Sequence, residues 1–169
     1  FGDRGHYTFK THLGLTSDAG RLVSAVRSLR VIEGGDGPEA QYEAVLEMAG
    51  NAKAIGFRPE ARKFVVVLTD APPHVAGDWG RIPLIGAPAS EDGRADGDPR
   101  NEDYPSSQQV IAALRAADIT PIFLVAGRAL SAYQQLIRQA GRGAAVPMSA
   151  DSSNVMSVLL QGIKEACPD

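Results

Sequence analysis

The sequence has little cysteine and no long run of apolar residues or of one charge. Cys167 is the only cysteine among 169 residues, so no disulfide forms within the chain and the redox compartment stays open. No apolar stretch approaches the roughly 20 residues that span a bilayer, and the first residues lack the order of a signal peptide. The formal net charge of −3 comes without a basic cluster, so we expect neither a nucleic-acid partner nor membrane insertion.

The composition that is present is that of one globular domain. With 44% hydrophobic and 22% charged residues, the chain is long enough to bury a core. Residues 63–71 include five consecutive apolar residues, from Phe64 to Leu68, which is typical of a central parallel strand covered on both faces. Ligands of such folds bind beyond the carboxyl ends of the strands. Asp70 is therefore the first candidate site residue.

Strand and helix signals alternate along the rest of the chain. A period of two predicts an edge strand over 7–15, and apolar runs predict strands over 119–125 and 144–148. Helical spacing predicts five helices: after the capping residues 16–18, over 40–55, from Pro105, around 130–137, and after residues 151–154. In the last of these helices, Val155, Leu159 and Ile163 are expected to face inward. The alternation predicts an α/β fold with a mostly parallel sheet.

Acidic residues occur in two loops at the same predicted edge of the sheet. Asp36 and Glu39 precede the helix over 40–55, and Asp70 ends a strand. Taken singly, each is more often an ordinary turn or helix-start residue. Together, three converging carboxylates require a compensating cation, and oxygen ligands select Mg²⁺, Mn²⁺ or Ca²⁺. Two glycines beside Asp36 allow the backbone to approach an ion closely, and Pro38 removes an N–H donor.

Several motifs in order resemble the von Willebrand factor A domain in its integrin β-subunit version. They are Gly35-Asp36-Gly37-Pro38-Glu39-Ala40, Leu68-Thr69-Asp70-Ala71, His74-Val75-Ala76-Gly77-Asp78, Tyr104-Pro105-Ser106, Ile122-Phe123-Leu124-Val125 and Ser149-Ala150-Asp151-Ser152-Ser153-Asn154-Val155. The resemblance covers nearly the whole chain. It implies a doubly wound, Rossmann-like sheet with helices on both faces.

The resemblance also implies a function and a set of cation ligands. The family binds an acidic side chain of a partner protein through Mg²⁺ or Mn²⁺ at a metal-ion-dependent adhesion site. Glu39 and Asp70 correspond to ligands of that ion, directly or through water. Asp36, the Pro38 carbonyl and Glu39 match a neighbouring Ca²⁺ site, and the Ala150 carbonyl matches a ligand of a third. The resemblance implies an extracellular or cell-surface location, although the chain carries no targeting signal.

Departures from the family pattern shape two further expectations. The Asp-x-Ser-x-Ser signature of the first strand is absent from these residues, and Phe1-Gly2 resembles the end of the second strand. We therefore expect residues 1–169 to be a single domain that is incomplete at its N-terminus, with the first strand and helix upstream in the same protein. Gly34 stands where the family has Asn, so the neighbouring cation site is expected to be weaker.

Two other readings of the sequence stay open. One is a Mg²⁺-dependent hydrolase or phosphoryl-transfer enzyme that uses Asp70; the sequence shows neither a Gly-x-x-x-x-Gly-Lys loop nor an activated nucleophile. The other is a von Willebrand A scaffold without metal. Trp79 is a candidate partner contact, although packing of its loop onto the domain is an equal explanation. The interpretation favoured by the motifs is a binding module and not an enzyme.

Overall fold

The three-dimensional structure is a computed structural model that describes residues 9–30, 37–78 and 103–167. Within these ranges it contains six helices and three strands. In chain order they are α1 (Ala19–Ser28), α2 (Gln41–Gly50), α3 (Ala52–Ile55), β1 (Lys63–Thr69), α4 (Ser107–Ala116), β2 (Ile119–Val125), α5 (Leu130–Ala140), β3 (Ala144–Pro147) and α6 (Val155–Ala166). None of the helices in this described part of the chain is long and apolar enough to cross a bilayer.

The strands form a parallel sheet in the order β1-β2-β3. Thr69 is in register with Val125, and Val125 is in register with Pro147, so the strands end at one edge. Ala126 N–H donates to the Thr69 carbonyl at 2.8 Å, and Met148 N–H donates to the Val125 carbonyl at 2.9 Å. The segments that follow the strands thus start side by side, as the α/β prediction requires.

Helices cover both faces of this sheet. On one face α2, α4 and α5 pack around residues such as Val67, Phe123 and Val125. On the other face α6 packs against alternate residues of β2 and β3, which include Ile122 and Leu124. The alternation of side chains along each strand produces these two cores. The predicted fold class, a doubly wound parallel sheet, is confirmed.

The environment of β1 differs from the prediction of a fully covered central strand. Among the described strands β1 lies at the edge, and Val66 and Leu68 are 37% and 46% exposed. Their register partners on β2, Ile122 and Leu124, are fully buried. The difference arises because α6 lies over β2 and β3 and leaves the same face of β1 without a helix from the described residues.

Local helix signals are mostly confirmed. Asp18 caps α1 by accepting a hydrogen bond from Arg21 N–H at 3.1 Å. The helix predicted over 40–55 divides at Asn51 into α2 and α3, and it stops at Gly56, whose φ of 101° favours glycine.

Two other local predictions need correction. Residues 7 and 8 of the strand predicted over 7–15 lie outside the described residues, and residues 9–15 form no strand; Leu15 N–H bonds to the Ile55 carbonyl at 2.9 Å instead. In α6 the predicted Val155 and Leu159 are half-buried and pack against the core, but the buried residues are Val158 and Gly162, and Ile163 is 38% exposed. The helix turns this way because Gly162 allows close approach: a Cβ there would lie 2.7 Å from Ile122 Cγ2.

Candidate metal site

Two backbone hydrogen bonds join the segment before α2 to the segment after β1. Glu39 N–H donates to the Pro72 carbonyl at 3.0 Å, and His74 N–H donates to the Glu39 carbonyl at 2.9 Å. This short parallel bridge pairs Glu39 with Pro73. It fixes the Glu39 main chain beside the segment that begins with Asp70, at the carboxyl edge of the sheet.

The two acidic residues differ in exposure. Asp70 follows β1 directly, its side chain is exposed, and no hydrogen bond or ion pair holds its carboxylate within the described residues. Glu39 is half-buried and lies two residues before the start of α2. An exposed carboxylate at the carboxyl end of a parallel strand is open to a ligand from solution.

Both carboxylates act on one buried hydroxyl. Burial raises the pKa of Tyr133, a hydrogen bond with the Thr69 side chain opposes this, and the charges of Tyr42, Glu39 and Asp70 raise the pKa further, in that order of size. Burial of the Tyr133 hydroxyl on α5 has the largest effect, and the two carboxylates add smaller ones.

The oxygen donors at this edge match a hard cation that keeps water ligands. Asp70 and Glu39 carry two carboxylates and the half-buried Pro38 a carbonyl, on two segments that the backbone bridge between Glu39 and Pro73 joins. Mg²⁺ in proteins is commonly held by one or two carboxylates with waters completing its shell. No group of three His, Cys, Asp or Glu side chains in the described ranges is arranged to hold a metal. These donors alone are too few for a cage made entirely by protein, so waters would have to complete the shell of an ion held here.

The sequence predicts three other site residues, Asp36, Trp79 and Ala150. Asp36 and Trp79 lie outside the described residues. Ala150 is exposed and follows β3, which β2 separates from β1 in the sheet. The sequence predicts Ala150 as a ligand of a third site, and the residue lies in the loop between β3 and α6.

The loop around Ala150 is nevertheless well defined. Asn154 Oδ1 accepts hydrogen bonds from the backbone N–H and the hydroxyl of Ser149, at 2.9 and 2.8 Å. Ser153 N–H donates to Asp151 at 3.0 Å. Hydrogen bonds from Ser153 and Ser149 lower the pKa of the exposed Asp151 carboxyl. Hydrogen bonds among the polar side chains of the loop therefore fix its conformation.

Sequence reasoning missed a polar network beneath Asp70. The network consists of Gln41, Thr69 and Tyr133, which are all buried and meet at the Ala71 carbonyl. Helical spacing predicts the helix around 130–137 that contains Tyr133, but periodicity does not report what the Tyr133 hydroxyl contacts. No sequence signal pairs Gln41 with Thr69, which is 28 residues away.

A second set of buried polar residues lies further along the same segment. His74 stacks on Tyr104 with ring centroids 4.1 Å apart and planes at 12°. Buried Asp103 accepts hydrogen bonds from the N–H groups of Gly77 and Tyr104. This buried stack gives His74 a structural role, because it holds the segment after Asp70 against the segment before α4.

Comparison with known proteins gives a consistent result. The family described as "Integrin beta chain VWA domain" matches residues 4–166. Mouse integrin beta-7 is 36% identical over 161 residues, which are 91% of this chain and 20% of that protein. Integrin beta-PS of Drosophila melanogaster is 30% identical over 160 residues, which are 90% of this chain and 19% of that protein.

The chain thus spans about a fifth of the length of the curated relatives that it matches. The family match agrees with the resemblance seen in the motifs. So do the parallel sheet and the hydrogen-bonded segments that carry Glu39 and Asp70. The chain belongs to the integrin beta chain VWA domain family.

Proposed function

We propose that this chain is the larger part of a protein-binding domain that captures an acidic side chain of a partner protein through a divalent cation, and that it is not an enzyme. The observation that carries the proposal is the exposed Asp70 carboxylate at the carboxyl edge of the sheet, next to the clamped Glu39. The family relationship supports an adhesion role at the cell surface or outside the cell.

In this proposal Asp70 and Glu39 hold Mg²⁺ or Mn²⁺, directly or through water. Asp36, the Pro38 carbonyl and Glu39 belong to a neighbouring Ca²⁺ site, and the Ala150 carbonyl to a third. When bound, the cation supplies an electrophilic position that a partner's Asp or Glu oxygen completes. The residues of this chain keep the ion short of protein anions, because too many carboxylates would satisfy it without the partner.

Cation binding is the first test. Mn²⁺ affinity of the full-length protein is measured by calorimetry for the wild type, Asp70→Asn and Asp118→Asn. Asp118 is an exposed aspartate whose carboxylate pairs with Arg142, away from the predicted site. We expect Asp70→Asn to weaken Mn²⁺ binding at least about tenfold, since removal of a charged ligand costs more than about 1.4 kcal/mol, while Asp118→Asn has no effect. Equal affinity of the wild type and Asp70→Asn would refute the assignment.

Partner capture is the second test. A peptide with one exposed Asp is immobilised, and binding of the full-length protein is measured with Mg²⁺, with chelator, and with the Asp replaced by Asn. The proposal predicts binding only to the Asp peptide and only with the cation. Binding that survives the chelator would support the scaffold without metal.

We also propose that the domain is completed by a strand and a helix from another part of the same polypeptide. Purely parallel sheets are covered on both faces, and exposed edges invite unwanted pairing. Beside the half-exposed Val66 and Leu68, the helix α6 leaves Met156 and Leu160 65% and 64% exposed. An added strand at the edge of β1, with its helix on this face, would bury Val66 and Leu68.

A further inference from the structure

The main chain directly after Asp70 is held by three side-chain donors. The Ala71 carbonyl accepts from the Tyr133 hydroxyl at 2.9 Å, from the Thr69 hydroxyl at 3.3 Å and from Gln41 Nε2 at 3.4 Å. Ala71 N–H donates back to Thr69 Oγ1 at 3.2 Å. Tyr133 makes the shortest of the contacts to this carbonyl. It lies on α5, whereas Glu39 and Asp70 lie in the segments before α2 and after β1.

Gln41 connects this carbonyl to the Glu39 loop. Its Nε2 donates to Thr69 Oγ1 at 2.7 Å, and Gln41 lies two residues after Glu39. The backbone bridge between Glu39 and the segment after Asp70 is therefore backed by a buried side-chain link. Within the described residues Gln41 Oε1 has no hydrogen-bond partner although it is fully buried. A buried oxygen without a hydrogen bond lowers stability. The nitrogen of the same amide offsets part of this cost by its hydrogen bonds to Thr69 and Ala71 at the end of β1.

We propose that Tyr133 and Gln41 are positioning residues for the cation site: they act through the Ala71 carbonyl and Thr69 to fix the direction of Asp70 relative to Glu39. The proposal rests on the proposed function, because the fixed direction matters only if the two carboxylates share an ion. The Asp70 side chain has no hydrogen bond in the described part of the chain, so the direction in which its Cα–Cβ bond leaves the main chain limits where the carboxylate can reach. Preorganised ligands bind more tightly because less motion is lost on binding.

The test uses Tyr133→Phe in the full-length protein, with Tyr42→Phe as the matched control. Both changes remove one buried hydroxyl, but no hydrogen bond joins Tyr42 to residues 69–71 in the described structure. Mn²⁺ affinity is measured by calorimetry. Hydrogen exchange of a peptide covering residues 70–74 is measured by mass spectrometry in the metal-free state.

We expect Tyr133→Phe to weaken Mn²⁺ binding about 3- to 10-fold, the loss of one hydrogen bond, and to speed exchange over 70–74, while Tyr42→Phe changes neither. Gln41→Leu, which keeps the side-chain size, is expected to act in the same direction. If Tyr133 and Gln41 contributed to stability alone, these changes would lower the free energy of unfolding and leave the Mn²⁺ affinity of the folded protein unchanged.

Three results would overturn the inference. Wild-type affinity in Tyr133→Phe would overturn it and leave the proposed function standing. An equal loss in Tyr42→Phe would show that the effect is general. Absence of Mn²⁺ binding in the wild type would refute the proposed function, and the positioning role with it.

Discussion

Leu68→Asp tests whether the bare face of β1 is covered in the full-length protein. Leu68 is 46% exposed here, whereas its register partner Leu124 is fully buried on the same face. If water covers this face, the change loses only the buried half of a leucine, about 1 kcal/mol. If a helix of the same polypeptide covers it, the change loses about 2 kcal/mol of apolar burial and buries a carboxyl without a partner, which costs at least about 2 kcal/mol more. We therefore expect a loss of about 4 kcal/mol or more.

Hydrogen exchange of the β2 amides measures this loss. β2 lies between β1 and β3, so its amides exchange only when the sheet opens, and the exchange rate gives an opening free energy. Ala112→Asp serves as the control, because Ala112 is an exposed residue of α4 and its replacement is expected to cost less than about 1 kcal/mol. A loss of only about 1 kcal/mol in Leu68→Asp would refute the proposed cover.

Two further predictions concern stability. Gly143→Ala is expected to lower the free energy of unfolding by about 3 kcal/mol or more, because Gly143 has a φ of 103° and an added Cβ would overlap the Pro121 carbonyl oxygen. Gly141→Ala is the control, since Gly141 has a φ of 71° and open space around it, and should cost only about 1–2 kcal/mol. Equal losses in urea unfolding would contradict this prediction. Burial raises the pKa of Tyr42 from 10.0 to about 12, so its contribution to stability is complete below pH 10 and is lost as the pH rises to 12, by about 3 kcal/mol. Tyr42→Phe should therefore show a shallower decline of unfolding free energy over that range, and identical declines would contradict the assignment.

The strongest local signals predicted most of the fold. The apolar run of residues 119–125 has the bounds of β2, and Gly56 ends the second helical segment as expected. These features depend on residues that are neighbours in the chain, where periodicity and turn chemistry decide the structure.

The errors have tertiary causes. The inward face of α6 depends on the contact of Gly162 with Ile122, which helical spacing does not report. The exposure of Leu68 depends on which elements lie over β1, and five apolar residues in a row cannot reveal that. For both residues, long-range packing overrides the local pattern.

The candidate site also combines residues that local motifs predict with residues that only tertiary packing reveals. The motif around Glu39 and the end of β1 identified both acidic residues, and the structure places their main chains on adjacent, hydrogen-bonded segments. The network through Gln41 and Tyr133 involves residues 28 and 62 positions apart from their partners. Such contacts follow from the arrangement of β1, α2 and α5, and no local pattern encodes them.

Anomalous diffraction from crystals of the full-length protein grown with Mn²⁺ measures the central claim most directly. We expect one strong Mn²⁺ peak at the carboxyl edge of the sheet, with an oxygen of Asp70 and an oxygen of Glu39 each bound to the ion directly or through one water. A peak bound by neither carboxylate, or no peak at this edge at saturating Mn²⁺, would contradict the assignment.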